Sequence, residues 1–384
     1  MGSLATRAGR VASLMESSSL DEADLAEVLE LPDGVPVGDV LDGSYALSAG
    51  DLVAVADLLD VPVGVLTGDQ PVGGRLGVSL RMGLVREADV PVEALRHADM
   101  LLRHRAALDS WLGPLPGPPD VLRMSTERYH PKAGAVSGDR VRLVLGLGDE
   151  PVADLVGLVE GLGVPVVFKA LPEGLHGLNL RDERDGLPVR VVVVSSEDGW
   201  ARQRFTLAHE LCHALYDDAG QIIVDRVDVP QDYPEIRAEA FARALLLPPR
   251  PLKREVLQAR RAGTGLAETV ARLVARWGVS RAAVARALLN DGLATQQELA
   301  PVKRARVSEL MADAGLAEHW RAVCADEHDE AGSPVLVRRA LEAYGNGWVS
   351  ARIVAELLGD TLDRTMQTLT EQGWAPGPVA DVTT

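Results

Sequence analysis

The sequence predicts a mainly helical protein, with one α+β domain built around a small sheet and with helical domains at its N- and C-terminal ends. Apolar residues recur every three to four positions through most of the chain, which is the spacing of amphipathic helices. Three short apolar runs, at residues 164–169, 175–180 and 189–195, depart from this spacing and predict strands. The third run contains four consecutive valines, which favours a strand that is buried on at least one face.

The composition is that of an ordinary globular protein. With 384 residues and a hydrophobic content of 47%, the chain can bury more than one core. Its net charge of −17 argues against a whole-surface attraction to nucleic acid or to an anionic membrane. The sequence has no long apolar run and no secretion-type N-terminal segment, and its two cysteines, Cys212 and Cys324, are too few for a disulfide framework. These features predict a cytoplasmic location and no membrane partner.

Proline and glycine divide the chain into five predicted segments. Residues 113–120 are rich in both and form the clearest linker, at the end of a stretch, 78–112, that is predicted to be helical. The predicted segments are a helical domain at 1–70, a helical connector and linker at 71–135, an α+β core at 136–250, a basic helix-turn-helix-like segment at 251–295 and a helical domain at 296–384.

The motif that carries chemistry lies within a helix predicted at 201–217 and reads Phe-Thr-Leu-Ala-His-Glu-Leu-Cys-His-Ala-Leu from residue 205. His209 and His213 are four residues apart and lie on one helix face, so two imidazole nitrogens can bind one cation. Glu210 lies about 100° from His209 around the axis, within reach of a water beside that cation. This H-E-x-x-H spacing predicts two zinc ligands and a general base, Glu210. The alternative is a half-exposed helix with two incidental histidines.

A catalytic zinc needs a third protein ligand and an open fourth position, and the next predicted helix, at 235–247, offers two candidates. Glu235 begins an apolar stripe at helical spacing, and a carboxylate in line with a buried stripe needs a partner such as a metal ion. Glu239 lies one turn further along and is the rival ligand. A third interpretation is that Glu235 only stabilises the positive end of the helix dipole.

Two motifs together resemble the ImmA/IrrE family of metallopeptidases. The first lies at 205–213, and the second is Glu-Ile-Arg-Ala-Glu-Ala-Phe-Ala-Arg-Ala-Leu-Leu-Leu-Pro at 235–248. The family pattern joins an H-E-x-x-H helix to a Glu-x-x-Ala-Asn-x-Phe-Ala-x-x-Leu-Leu-x-Pro helix, and the resemblance covers residues 136–290. It implies a zincin-like peptidase core of the gluzincin type, with Zn²⁺ as the cofactor and Glu235 as the third ligand.

The chain departs from the family pattern at two positions. Glu239 stands where the family has Asn, which adds a second carboxylate near the predicted metal. Cys212 stands where Gly is common, and helix geometry turns it towards the apolar side, so we expect it in the core. Family members often begin with an Xre-type helix-turn-helix domain, and residues 8–67 resemble that module, most clearly at 52–66.

The distribution of charge bears on whether the chain binds DNA. Residues 1–70 hold two basic and thirteen acidic residues, and the candidate recognition helix at 35–41 has no Arg, Lys, Gln or Asn to contact base edges. We therefore expect this domain to serve dimerisation or protein docking, with DNA contact unfavourable. Residues 250–291 hold nine basic and three acidic residues, in two helices joined between Trp277 and Ser280. DNA contact is possible there, and the alternative is a packing unit of the peptidase core.

The leading hypothesis is a zinc-dependent endopeptidase that acts in transcriptional regulation by cleaving a specific protein substrate, such as a repressor, as the family resemblance implies. One alternative is a DNA-binding transcriptional regulator whose zinc site is sensory or structural. A second is an interaction protein linked to phage or stress responses, and each hypothesis is compatible with a homodimer. Glu210 discriminates between them, because a purely structural zinc site needs no general base beside its first ligand.

Overall fold

The structure, a computed structural model, comprises two compact units, Met1–Arg75 and Leu76–Thr384. None of the described helices combines the length and apolar character needed to cross a membrane. The described residues are 8, 11, 12, 15, 22–29, 31, 35–45, 47, 49–58, 77–82, 92–122, 132–171, 175–184, 187–217, 233–325 and 330–375.

The first unit contains three described helices beside a small apolar core. They are α1 (Glu22–Val28), α2 (Gly38–Leu41) and α3 (Ala49–Leu58). The buried side chains of this core are those of Val11, Met15, Leu25, Leu29, Val40 and Val55. Within the candidate recognition helix at 35–41, the structure has a helix of only four residues, Gly38–Leu41. The unit is helical as expected, and its relation to the Xre-type module remains a prediction.

The second unit contains fourteen described α-helices and a short 3₁₀ turn, Asp120–Leu122. The helices are α4 (Val92–Leu112), α5 (Ala133–Val144), α6 (Leu155–Gly161), α7 (Trp200–Tyr216), α8 (Tyr233–Leu246), α9 (Pro249–Arg261), α10 (Leu266–Trp277), α11 (Arg281–Asn290), α12 (Gln296–Arg304), α13 (Val307–Asp313), α14 (Ala317–Ala325), α15 (Pro334–Gly345), α16 (Ala351–Leu358) and α17 (Leu362–Glu371). The predicted fold class, mainly α with one α+β zincin-like domain, is confirmed.

A mixed sheet of four strands lies in this unit, in the order β1-β3-β4-β2. The strands are β1 (Gly77–Met82), β2 (Val166–Lys169), β3 (Leu175–Arg184) and β4 (Leu187–Ser195). Strands β3 and β4 form an antiparallel pair, β2 runs parallel to β4, and β1 runs antiparallel to β3. The three strands expected from the sequence are thus present.

Strand β1 corrects one expectation, because the stretch at 78–112 was predicted to be helical throughout. Residues 77–82 alternate small or polar with apolar residues, a period of two that suits a strand once a partner strand is available. Pairing with β3 supplies that partner, and the helix α4 begins only at Val92. Pairing with β3, which is distant in the sequence, therefore determines the structure of residues 77–82, as is common for strands.

The sheet separates two apolar cores. Val192 and Val194 of β4 belong to the core that contains α7 and α8, whereas Val191 and Val193 belong to the core beneath α4, α15 and α16. All four valines are buried, so β4 is covered on both faces. This arrangement explains why the run is uniformly apolar, since a strand with two covered faces has no solvent side.

The basic segment packs into the same core as α7. Val270, Val274 and Trp277 of α10 are buried in one cluster with Leu211 of α7. The predicted turn is present, because α10 ends at Trp277 and Ser280 accepts a hydrogen bond from the Ala283 N–H at 3.1 Å. The domain boundaries proposed from the sequence remain predictions.

Candidate metal centre

Helix α7 carries the H-E-x-x-H motif and is anchored by its apolar face. The helix begins after Gly199 and ends at Asp217, which adopts a left-handed conformation with a φ of 57°. Full burial of each leucine-sized side chain contributes about 1.5–3 kcal/mol, so this face holds the helix firmly. Cys212 is fully buried, as expected for a core residue. The buried apolar residues of this face include Leu207, Ala208, Leu211, Cys212 and Leu215.

Helix α8 carries Glu235 in its first turn and lies very close to α5. A Cβ added to Gly134 would lie 2.0 Å from the carbonyl oxygen of Arg237, and one added to Gly138 would lie 2.9 Å from that of Phe241. Only glycine permits such an approach of two backbones. Helix α5 therefore fixes the depth at which α8 presents Glu235. The predicted apolar stripe of α8 is fully buried and consists of Ala238, Ala242 and Leu245.

Three of the predicted site residues converge on one point. The Nε2 atoms of His209 and His213 lie 3.0 Å apart. The Glu235 carboxylate spans both rings, with Oε2 at 2.9 Å from Nε2 of His209 and Oε1 at 3.1 Å from Nε2 of His213. Glu239 is not part of this cluster. Its side chain is 49% exposed and lies 3.8 Å from Arg243.

The electrostatics of the cluster favour an ionised Glu235. Burial alone would raise the pKa of this carboxyl group, but its hydrogen bonds and charge interactions with His209 and His213 outweigh burial and hold the pKa well below the ordinary range. The two histidine side chains are 0% and 2% exposed, whereas that of Glu235 is 37% exposed. The cluster thus presents two buried imidazoles and one anionic carboxylate on a side that solvent can reach.

The donor set and its spacing fit a zinc ion. Zinc in catalytic sites is commonly held by two histidines and one carboxylate, with ligand distances of about 2.0–2.2 Å. A tetrahedral ion of that size separates its ligand atoms by about 3.3 Å. The three separations here are 2.9, 3.0 and 3.1 Å, so a small outward shift of the ligands admits the ion. The partly exposed carboxylate leaves a side open, as a catalytic site requires and a closed structural site does not.

The side chain of Glu210 lies between α7 and the face of β3 that α7 covers. Its side chain is fully buried, and a Cβ added to Gly177 of β3 would lie 3.1 Å from its Oε1 atom. The same Cβ would lie 2.6 Å from Cγ2 of Thr206, so the strand runs as close to the helix as a glycine allows. Glu210 follows His209 in the sequence, and its side chain lies against the backbone of β3.

A series of hydrogen-bonded polar side chains lies beneath α7 and was not predicted from the sequence. Asn179 of β3 donates a hydrogen bond from Nδ2 to the carbonyl oxygen of Glu210 at 2.9 Å. Arg190 of β4 donates to Oδ1 of Asn179 at 3.4 Å and also to Asp217 at the end of α7. Arg190 inside the otherwise apolar strand β4 is the sequence signal that could have indicated a buried polar partner.

A second set of contacts joins the helices on the other side. The hydroxyl groups of Ser137 and Tyr216 lie 2.6 Å apart, and the Arg237 guanidinium lies 3.7 Å from the centre of the Tyr216 ring. These contacts connect α5, the end of α7 and the first half of α8, the elements that carry or support the cluster. No sequence motif predicted them, because their partners come from three separate helices.

Comparison with known families found a match to the part of the chain that contains the cluster. Residues 159–289, about a third of the chain, match the Peptidase_M78 family model, described as the IrrE N-terminal-like domain. The matched range contains α7, α8 and the strands β2 to β4. Comparisons with curated proteins and with solved structures gave no match. Residues 159–289 are therefore similar to an IrrE-type metallopeptidase domain, which supports placing this part of the chain in the ImmA/IrrE family.

Proposed function

We propose that the chain is a zinc-dependent endopeptidase that acts in transcriptional regulation by cleaving a specific regulator or repressor protein. The observation that carries this proposal is that His209, His213 and Glu235 lie within hydrogen-bond distance of one another. The two histidines lie on α7, which also carries Glu210, and Glu235 lies on the neighbouring helix α8. The regulatory part follows from the ImmA/IrrE resemblance, and a location in the cytoplasm is part of the same proposal.

Each residue has a defined role in this reaction. His209, His213 and Glu235 would hold the metal ion, which supplies Lewis acidity to a scissile carbonyl and to the attacking water. Glu210 would accept the proton of that water on its carboxylate and return it to the leaving amine. Because the Glu210 side chain is fully buried beside β3, its carboxylate is weakly solvated, which strengthens its electrostatic interactions.

The DNA-binding alternative receives less support. Among the nine basic residues of 250–291, five are engaged in described contacts: Arg254 with Asp149, Arg272 with Glu268, Arg276 with Glu150 and Glu255, Arg260 with the Leu293 carbonyl and Arg281 with the Ala305 carbonyl. The segment also shares the apolar core of α7 and lies almost wholly within the matched family range. These features favour a packing unit of the peptidase domain.

The test is cleavage of natural substrates in a cell extract. Zinc-loaded wild-type protein and the Glu210→Gln variant are incubated with cytoplasmic extract, and new protein N-termini are identified by mass spectrometry. We expect a small number of new termini with the wild type and none with the variant, because removal of a general base costs about 10²–10⁴-fold in rate. Equal sets of termini from both proteins would exclude the proposed function.

A further inference from the structure

Strand β3 has two neighbours of different origin. On one side it pairs with β4, the next strand in the chain. On the other side it pairs with β1, residues Gly77–Met82, which lie outside the matched family range of 159–289. The peptidase domain therefore contributes β2 to β4, and a segment from before that domain completes the sheet at the edge of β3.

The strand at this edge, β3, lies against Glu210. Gly177 of β3 approaches the Glu210 carboxylate so closely that an added Cβ would lie 3.1 Å from Oε1. The residue of β1 that pairs with Gly177 is Arg81, and the register shifts by one residue between Arg81 and Met82. Paired residues of antiparallel strands have Cα atoms about 4.5–5.5 Å apart. The backbone of β1 thus passes about one strand spacing from the strand that touches the general base.

A peptidase needs its substrate as an extended chain beside the general base. Addition of a peptide strand to a free sheet edge is a general way to bind such a chain, because main-chain hydrogen bonds recognise it with little dependence on sequence. Strand β3 lies beside the general base, since the face of β3 at Gly177 packs against Glu210 and Thr206. Strand β1, however, pairs with every residue of β3 from Gly177 to Arg181.

On the basis of the peptidase function proposed above, we propose that β1 is an internal occupant of the edge of β3 at which peptide substrates bind. Substrates are then extended, unfolded polypeptide segments that pair antiparallel with β3 after β1 has left. While β1 is paired, the site is closed to other chains.

Tethering makes β1 a strong competitor. Nine residues separate β1 from α4, whose Leu101 and Leu102 pack in one core with Leu178 of β3. A segment held by a linker of this kind acts at an effective concentration of the order of millimolar. A free peptide of similar intrinsic affinity therefore binds poorly to the wild-type protein and binds better once β1 is weakened. Locking β1 in place has the opposite effect.

The experiment measures binding to the full-length Glu210→Gln protein, so that no probe is cleaved. The probe is a fluorescein-labelled peptide that copies residues 75–84, and a scrambled peptide is its control. Leu80→Pro weakens β1, because proline disrupts strand pairing. Gly77→Cys with Arg181→Cys joins two paired residues, whose expected Cα separation suits a reversible disulfide, and Arg181→Cys alone controls for the lost arginine.

We expect Leu80→Pro to bind the probe about tenfold or more tightly than the parent protein, with amide exchange at 175–181 slowed when the probe binds. The oxidised double-cysteine protein should not bind the probe, and reduction should restore the parent affinity. Equal affinity of the oxidised and reduced forms, or no binding by Leu80→Pro, would overturn the inference. If only the proposed peptidase function is wrong, no substrate is cleaved, but the labelled peptide still competes with β1 for β3.

Discussion

Asn179 and Glu210 are joined by a hydrogen bond from the side-chain Nδ2 of the first to the backbone carbonyl oxygen of the second, at 2.9 Å. Both residues are fully buried. The bond links the inner face of β3 to the middle of the helix that carries the metal-binding motif. Together with the buried apolar face of α7, it holds the helix against β3 at the position of Glu210.

Asn179→Ala should lower both stability and activity. Removing a partner from a buried hydrogen bond costs about 1–3 kcal/mol. Asn346→Ala is a matched control, because Asn346 makes the same type of bond, from Nδ2 to the Glu342 carbonyl at 3.0 Å, at an exposed position. We expect the control to change stability by less than about 0.5 kcal/mol. Urea unfolding and substrate cleavage measure the two effects, and equal losses in both variants would contradict the role given to Asn179.

Gly177→Ala should impair the site through sterics alone. The added Cβ would lie 2.6 Å from Thr206 Cγ2 and 3.1 Å from Glu210 Oε1, so the helix or the strand must move. Overpacking of this kind typically costs about 1–3 kcal/mol. Gly161→Ala is the control, since a Cβ there has open space around it. We expect reduced cleavage and a lower melting temperature only for Gly177→Ala; full activity of that variant would show that the close approach is not needed.

Histidine burial predicts a loss of stability in mild acid. Burial lowers the pKa of His104 and outweighs the opposing effect of Glu356, whose carboxylate lies 2.6 Å from Nε2. The pKa of His97 is lowered for the same main reason. Because the folded pKa is depressed, the unfolded chain binds protons first, and stability falls as the pH drops below about 6.5. Urea midpoints should therefore decrease from pH 7 to pH 5, with a weaker dependence in His104→Gln. An unchanged dependence in that variant would contradict the assignment.

Duplex DNA binding offers a test of the basic segment. Arg261 and Arg286 are exposed, whereas Arg254 and Arg272 lie 2.6 and 2.7 Å from acidic partners. If the protein binds DNA, replacing Arg261 and Arg286 with alanine should reduce the slope of log K against log salt concentration by about one for each lost phosphate contact. Replacing Arg254 and Arg272 with alanine should reduce this slope less. Deleting residues 1–70, which are strongly acidic, should leave the affinity unchanged or raise it. Loss of binding upon that deletion would assign DNA contact to the N-terminal unit.

Sequence patterns predicted the elements that depend on local spacing. The H-E-x-x-H spacing required a helix, and α7 spans Trp200–Tyr216 against the predicted 201–217. The apolar stripe that follows Glu235 likewise predicted α8 and the burial of Ala238, Ala242 and Leu245 on one face. In both cases helical periodicity alone determines which side chains share a face.

The features that sequence patterns missed all depend on partners distant in the chain. Strand β1 exists because β3 is available to pair with it, and its own six residues carry only a weak strand pattern. The bond from Asn179 to Glu210 joins residues on different elements, and neither residue marks the other in the sequence. The family resemblance favoured Glu235 over Glu239, and the structure distinguishes them by distance, because Glu235 lies 2.9 and 3.1 Å from the two histidine nitrogens and Glu239 is not part of the cluster.

Zinc content under chelator competition tests whether His209, His213 and Glu235 hold a zinc ion beside Glu210. We expect wild-type protein and Glu239→Ala to retain about one zinc per chain at chelator concentrations that strip Glu235→Ala. His209→Ala and His213→Ala should lose the metal altogether. Full retention of zinc by Glu235→Ala together with its loss from Glu239→Ala, or full retention by both histidine variants, would contradict the assigned metal centre.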